Sequence, residues 1–160
     1  MQSIAKTEQE QRFIALVEAT LGPAYHVVDV DIAVGPRSII RLFIGWTDPE
    51  KRIGLDEVAE VSRTLDPVVE AADWLPAGFD LEVSSPGLDR RLRLESDFRQ
   101  AIGKDIRLKL GKSIERFGAK PWGTLAKVEP EELVFSQNKQ EFRVGWNNIR
   151  QAHVIWKSEE

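Results

Sequence analysis

Apolar side chains recur four residues apart at Phe13, Val17 and Leu21, which places them on one face of a helix. Thr7, with Glu10 three residues on, opens that helix as a capping box, and Gly22-Pro23 closes it. The period then changes to two. Val28, Val30, Ile32 and Val34 alternate with Asp29, Asp31 and Ala33, and beyond Gly35-Pro36-Arg37-Ser38 a second strand carries Ile40, Leu42, Ile44 and Trp46 on one face. Strand, turn and strand most simply make a hairpin. Asp56 is placed to cap a second helix, with Glu57 and Glu60 in the first turn, where the helix dipole favours anions. Val58, Val61, Leu65 and Val69 supply its apolar stripe, and Pro67 inside that stripe predicts a kink or a restart capped by Asp66. Trp74 to Gly78 leads into a third strand, Phe79 to Ser84, in which Leu81 and Val83 share a face.

Residues 1–92 thus read helix, strand, strand, helix, strand: an N-terminal α/β sandwich-like domain whose small sheet is covered by helices on one face. Beyond them, Ser96 and Asp97 cap a short helix from Phe98 to Ile102 that Gly103 stops, and only short strands follow. Ile106, Leu108 and Leu110 alternate with Arg107 and Lys109. Trp122 to Val128 and Leu133 to Ser136 flank Glu129-Pro130-Glu131-Glu132, Phe142, Val144 and Trp146 alternate with Arg143 and Gly145, and a last strand runs from Ala152 to Trp156. Five short strands with turns every few residues predict a small C-terminal SH3/Sm-like β-barrel over residues 93–160. The fold class is α+β in two domains.

Between the domains lies a turn. Pro86 presets φ for its second position and Gly87 can take the positive φ of a type II turn, so Ser84, Ser85, Pro86, Gly87 and Asp89 form a fixed interdomain joint.

Composition narrows the chemistry. An apolar share of 42% with 30% charged residues fits a soluble globular protein, and no apolar run approaches the roughly 20 residues of a membrane helix. Nor does the start of the chain read as an export signal, which predicts a cytoplasmic protein with no membrane partner. The absence of Cys rules out disulfides, thiolate metal sites and a cysteine nucleophile. A net charge of −4 conceals an asymmetry. Residues 1–92 carry nine Lys/Arg against sixteen Asp/Glu, net −7, whereas 93–160 carry thirteen against ten, net +3. Arg107, Lys109 and Arg143 point outward by strand parity, Arg90 and Arg91 follow the turn, and Lys112, Arg116 and Lys120 lie in a long loop from Gly111 to Lys120. Such a face can meet RNA phosphates, and equally can keep a small barrel solvated.

Other constellations favour structural roles. Ser84 or Ser85 as a nucleophile near Asp89 needs a base, and His26 and His153, the two histidines, fall in different domains; turn capping is the simpler role for both serines. His26 with Asp29 and Asp31 resembles a metal set, but in a regular strand His26 shares parity with Val28 while the aspartates face the other way. No metal, cofactor or catalytic residue is assigned. Trp46, Trp146 and Trp156 share parity with apolar strand residues and belong to cores, whereas Trp122, beside Lys120 and Pro121, is open to either packing or base stacking.

The run Leu81-Glu82-Val83-Ser84-Ser85-Pro86-Gly87-Leu88-Asp89-Arg90, with the strand-rich basic tail after it, resembles the RimP family of bacterial ribosome maturation factors, in which such a segment links two domains. The resemblance covers nearly the whole chain, with one departure: the family's usual Pro after the Arg is Arg91 here. It implies a second domain of barrel type and a non-enzymatic, monomeric assembly factor. The implied partner is the small ribosomal subunit precursor, met transiently through a decoding-region ribosomal protein and rRNA. An Sm-like RNA-binding regulator is the alternative, and a hydrolase built on Ser84 or Ser85 a third.

Overall fold

The computed structural model describes residues 2–48, 50–85 and 90–155, which form two compact units, Lys6–Gly87 and Met1–Ala5 with Leu88–Glu160. The fold is α+β. In the first unit α1 (Glu8–Leu21) precedes β1 (Tyr25–Ala33), β2 (Ile39–Trp46), α2 (Leu55–Glu70) and β3 (Asp80–Ser84). The strands lie in the order β1-β2-β3, β1 antiparallel and β3 parallel to β2, with α2 as the crossover that a parallel neighbour requires. Thr7 caps α1 as expected: its Oγ1 accepts from Glu10 N at 3.0 Å and Glu10 Oε1 accepts from Thr7 N at 3.0 Å. The other Glu10 oxygen accepts from Ile32 N, tying the helix start to β1. At the far end Gly22 takes φ 81°, a conformation an L side chain resists. Phe13 and Val17 from α1, Val61, Leu65 and Val69 from α2, and Ile40, Leu42 and Ile44 from β2 share one core.

Three local expectations are corrected. A β-bulge at Val28 shifts the phase of β1, because Val27 pairs with Ile44 and Asp29 with Phe43. Val27 and Val30, not Val28, therefore enter the core; Val34, past the end of β1, is 71% exposed. The second helix is capped by Gly54 instead of Asp56, with no side-chain cap bond. It also continues through Pro67 to Glu70 with no restart at Asp66, although Pro67 has no N–H to donate to the carbonyl of Arg63 four residues back.

The bulge has a charged companion. Lys6 Nζ lies 2.6 Å from Asp29 Oδ1 and 3.6 Å from Asp31, and donates to Val30 O at 3.0 Å. Both Lys6 and Asp29 side chains are almost fully buried. Burial raises the Asp29 carboxyl above its ordinary value, against the opposing pull of the Lys6 ammonium and the Val30 N–H.

The second unit holds α3 (Glu95–Gln100), then β4 (Asp105–Leu110), β5 (Trp122–Val128), β6 (Glu132–Gln137), β7 (Gln140–Gly145) and β8 (Ile149–Val154), with a single 3₁₀ turn, Trp146–Asn148, before β8. Its sheet is antiparallel in the order β7-β6-β5-β4-β8. Leu108, Leu125, Leu133, Phe135, Val144 and Ile149 alternate inward and, with Phe98 from α3, make the core. Trp146 belongs to that core from the 3₁₀ turn, not from the strand. α3 starts at Glu95: Asp97 Oδ2 accepts from Arg93 N and Leu94 N, so Asp97 performs the capping and Ser96 stays exposed. At Gly123 an added Cβ would sit 3.0 Å from Phe142 and 3.1 Å from Phe135, so a missing side chain lets the two stacked rings close over β5.

The start of the chain packs in this second unit. Ser3 bridges Leu94, Ile4 N donates to Arg93 O and Glu95 N to Gln2 O, both at 2.9 Å, and Ile4 is 2% exposed among the core residues. Next to β8, Arg91 bridges His153 and Leu92 N donates to Ala152 O, with Leu92 1% exposed. The chain therefore passes between the units twice, once between Ala5 and Lys6 and again between residues 85 and 90.

Candidate functional site

Basic positions on the second unit are set by register. Inward Ile106, Leu108 and Leu110 leave Arg107 and Lys109 exposed on the opposite face of β4. Arg107 pairs with Trp122 on β5 and with His153 on β8, and His153 in turn bridges Arg91. Directly paired residues share a face, so Arg91, His153, Arg107 and Trp122 form one row across four neighbouring segments. At an interstrand spacing of about 4.8 Å, the row runs for roughly 15 Å. Lys109 stands two residues further along β4, opposite Gln151. Asp105 is on the same face, where its Oδ1 accepts from Thr124 Oγ1 at 2.6 Å.

The segment from Gly111 to Lys120 extends this surface as an ordered hairpin. Ile114 and Gly118 exchange backbone bonds, Lys112 N and O are both held by the Asn148 amide, and Leu110 N donates to Ala119 O. Phe117 packs on Phe142 at 4.5 Å between centroids, anchoring the tip, and Arg116 adopts φ 75° beside it. Arg107 donates from its guanidinium to Lys120 O at 3.1 Å, which brings the base of the hairpin to the row. Lys112, Arg116 and Lys120 are all exposed. Arg90 is half-buried, its carbonyl accepting from Val154 N.

Arg143 has a different setting. It lies on β7, at the far edge of the sheet from β8, and its guanidinium meets Glu132, Glu129 and Glu141. The hydrogen bond to Glu132, with the charges of all three carboxylates, raises its pKa. Three local anions leave that patch net negative, so Arg143 is not grouped with Arg107 and Lys109.

Ser84 ends β3, exposed and paired with Phe43, and Ser85 follows it half-buried; Pro86, Gly87 and Asp89 of the joint lie outside the described residues. The bulge puts His26 on the same sheet face as Asp29 and Ser84, contrary to the alternation expected for a regular strand. Ser84 is nevertheless two strands and one two-residue step away, about 12 Å between Cα atoms. No hydrogen bond joins His26 to Ser84. The Asp29 and Asp31 carboxylates converge on Lys6, and among the described residues no group of three His, Cys, Asp or Glu side chains is placed to hold a metal ion. No described helix is long and apolar enough to cross a membrane.

Strand parity alone identified Arg107 and Lys109 as outward. It did not give their neighbours, because His153 and Trp122 join the row only through cross-strand register, which depends on turn lengths and on the bulge between Lys109 and Leu110.

Residues 16–89, from the middle of α1 through β3, match the model of the RimP N-terminal domain. With its hairpin, helix and parallel third strand in that span, the first unit is similar to the N-terminal domain of the RimP family.

Proposed function

We propose that this protein is a non-enzymatic, cytoplasmic assembly factor that binds the immature small ribosomal subunit transiently, as a monomer, and leaves before translation. The observation that carries the reading is the family match over residues 16–89. The second unit supports it with an Arg-His-Arg-Trp row beside Lys109 and a cationic hairpin, a combination suited to phosphates and an adjacent base or ring. In this reading the five antiparallel strands curl into a small SH3/Sm-like barrel, and the bulges in the β4/β8 and β5/β6 pairings provide the bending that closure needs. The two units act as two domains joined through Ser84, Ser85 and the residues after them.

The contact residues on rRNA are Arg90, Arg91, Arg107, Lys109, Lys112, Arg116 and Lys120, while the acidic first unit meets a ribosomal protein. Charge division favours that split. Lys6–Gly87 carries seven Lys/Arg against fifteen Asp/Glu, net −8, and is repelled by bare RNA. The test is binding of Arg107→Glu/Lys109→Glu to purified immature small subunits at low and moderate salt. Both side chains are exposed, so the fold stays intact and affinity falls at least tenfold, with a shallower salt dependence. Unchanged affinity at both salts rejects the basic row as the contact.

A further inference from the structure

A groove of about 420 Å³ opens on the first unit where α2 ends and the chain turns toward β3. Its floor is apolar: Val69 is 2% exposed, Leu75 is buried, and Phe79 is half-buried. Its rim carries Asp66, Glu70 and Asp73, all exposed. None of these carboxylates forms a salt bridge among the described residues, and Arg63, one turn back on α2, does not reach Asp66.

The placement runs against the local rules of helix stability. The C-terminal end of a helix presents unsatisfied carbonyls and the negative pole of its dipole, which lysine or arginine normally offsets. The last turn of α2 contains no basic residue, and three anions gather there instead. A local conflict without compensation inside the fold is characteristic of a functional surface. Here both components, apolar floor and negative rim, call for the same occupant.

The geometry points to this groove as the docking site for a basic polypeptide segment, in which an apolar side chain enters over Val69, Leu75 and Phe79 while flanking Lys or Arg residues meet Asp66, Glu70 and Asp73. It deepens the proposed function, on which it rests for its biological setting, by giving the acidic unit a place to hold a ribosomal protein. RNA is excluded as occupant by the sign of the rim charge.

The test uses the full-length protein and a synthetic 12-residue peptide with a central Leu-Leu flanked by Lys and Arg. Companion probes are the same peptide with Ser-Ser at the centre, one with Glu for every cation, and an oligouridylate. In 50 mM salt the basic Leu-Leu peptide shifts the amide resonances of Val69, Leu75 and Phe79, and the companions bind at least tenfold more weakly. Asp66→Asn/Glu70→Gln/Asp73→Asn lowers peptide affinity about tenfold and unfolds at an equal or higher urea concentration, a pairing that a purely structural role for the carboxylates does not produce. Ala77→Arg, which supplies a cation to the groove, lowers affinity as well. The inference is overturned if the basic peptide does not bind, if its shifts fall away from the groove, if both variants bind it as wild type does, or if the oligouridylate produces the same shifts. Because the assay contains no ribosomal subunit, its failure leaves subunit binding through the basic row intact, and failure of that binding leaves the groove result intact.

Discussion

Replacing Ile4 with Ala tests the finding that the beginning of the chain completes the core of the second unit. Ile4 is 2% exposed and shares a core with Leu92, Phe98 and Trp146, so the substitution removes buried methyl and methylene groups and leaves a cavity. Large-to-small changes of this kind cost about 2 to 5 kcal/mol. The lower half of that range, roughly 3 kcal/mol, is expected because Ile4 lies on an arm held to the unit by few backbone bonds and able to shift inward. With a urea slope of about 2 kcal/mol per molar, the unfolding midpoint falls by roughly 1.5 M. The assay is equilibrium urea unfolding of the full chain, with hydrogen exchange at Leu92 and Ala152 reporting on the second unit and at Val27 and Leu42 on the first. Protection is lost at the first pair and retained at the second. A loss below about 0.5 kcal/mol, or protection lost only in the first unit, refutes the placement of Ile4 in that core. Acid tests the same attachment: Gln2 N–H first, then Arg99, holds Glu95 below its ordinary carboxylate value. A depressed carboxylate stabilises the fold above its unfolded pKa and stops doing so as pH falls through the folded value. The wild-type arm therefore loosens in that acid window, and Glu95→Gln removes this part of the pH dependence.

Further substitutions probe the remaining packing. Lys6→Met strands Asp29 without its cation and costs about 3 to 5 kcal/mol in urea unfolding, whereas Lys6→Met/Asp29→Asn recovers most of the loss. Since burial raises Asp29, its ionised form weakens the fold at neutral pH. The Lys6→Met protein accordingly gains stability as pH falls through the raised folded value toward the unfolded one; a flat profile contradicts this account. Gly123→Ala forces Phe142 and Phe135 apart and costs about 1 to 3 kcal/mol in thermal unfolding, while unchanged stability shows that the rings yield freely. Arg143→Gln, at its glutamate cluster, weakens subunit binding far less than Arg107→Glu does, and an equal effect moves Arg143 into the contact surface.

The elements were legible where sequence and local physics coincide. Thr7 and Glu10 announce α1 because a capping box is built from four adjacent residues, and Ile106, Leu108 and Leu110 announce β4 because alternation is local. Period-two counting sets Val28 on the face of Val30 because it cannot register an extra residue, and the same bulge reverses the relation of His26 to Asp29. Pro67 marks a kink or a restart in the sequence, and the helix carries on for three residues beyond it because Val69 still belongs to the core stripe. The arm was the least accessible. Nothing near Ile4 shows that its partners lie beyond residue 90, and a division after residue 92 leaves both Ile4 and Leu92 outside the second piece. In the candidate site, individual cations could be read from parity, but their grouping depends on register, and the crowding of Arg143 depends on glutamates brought in from β6, β7 and the turn before β6.

Sedimentation of cell extract through a sucrose gradient, with the protein followed by antibody, tests the assembly role most directly. The account predicts the protein with free small subunits and at the top of the gradient, absent from translating ribosomes, with immature small subunits accumulating when it is deleted. Steady association with translating ribosomes, or normal small-subunit maturation in the deletion strain, contradicts it.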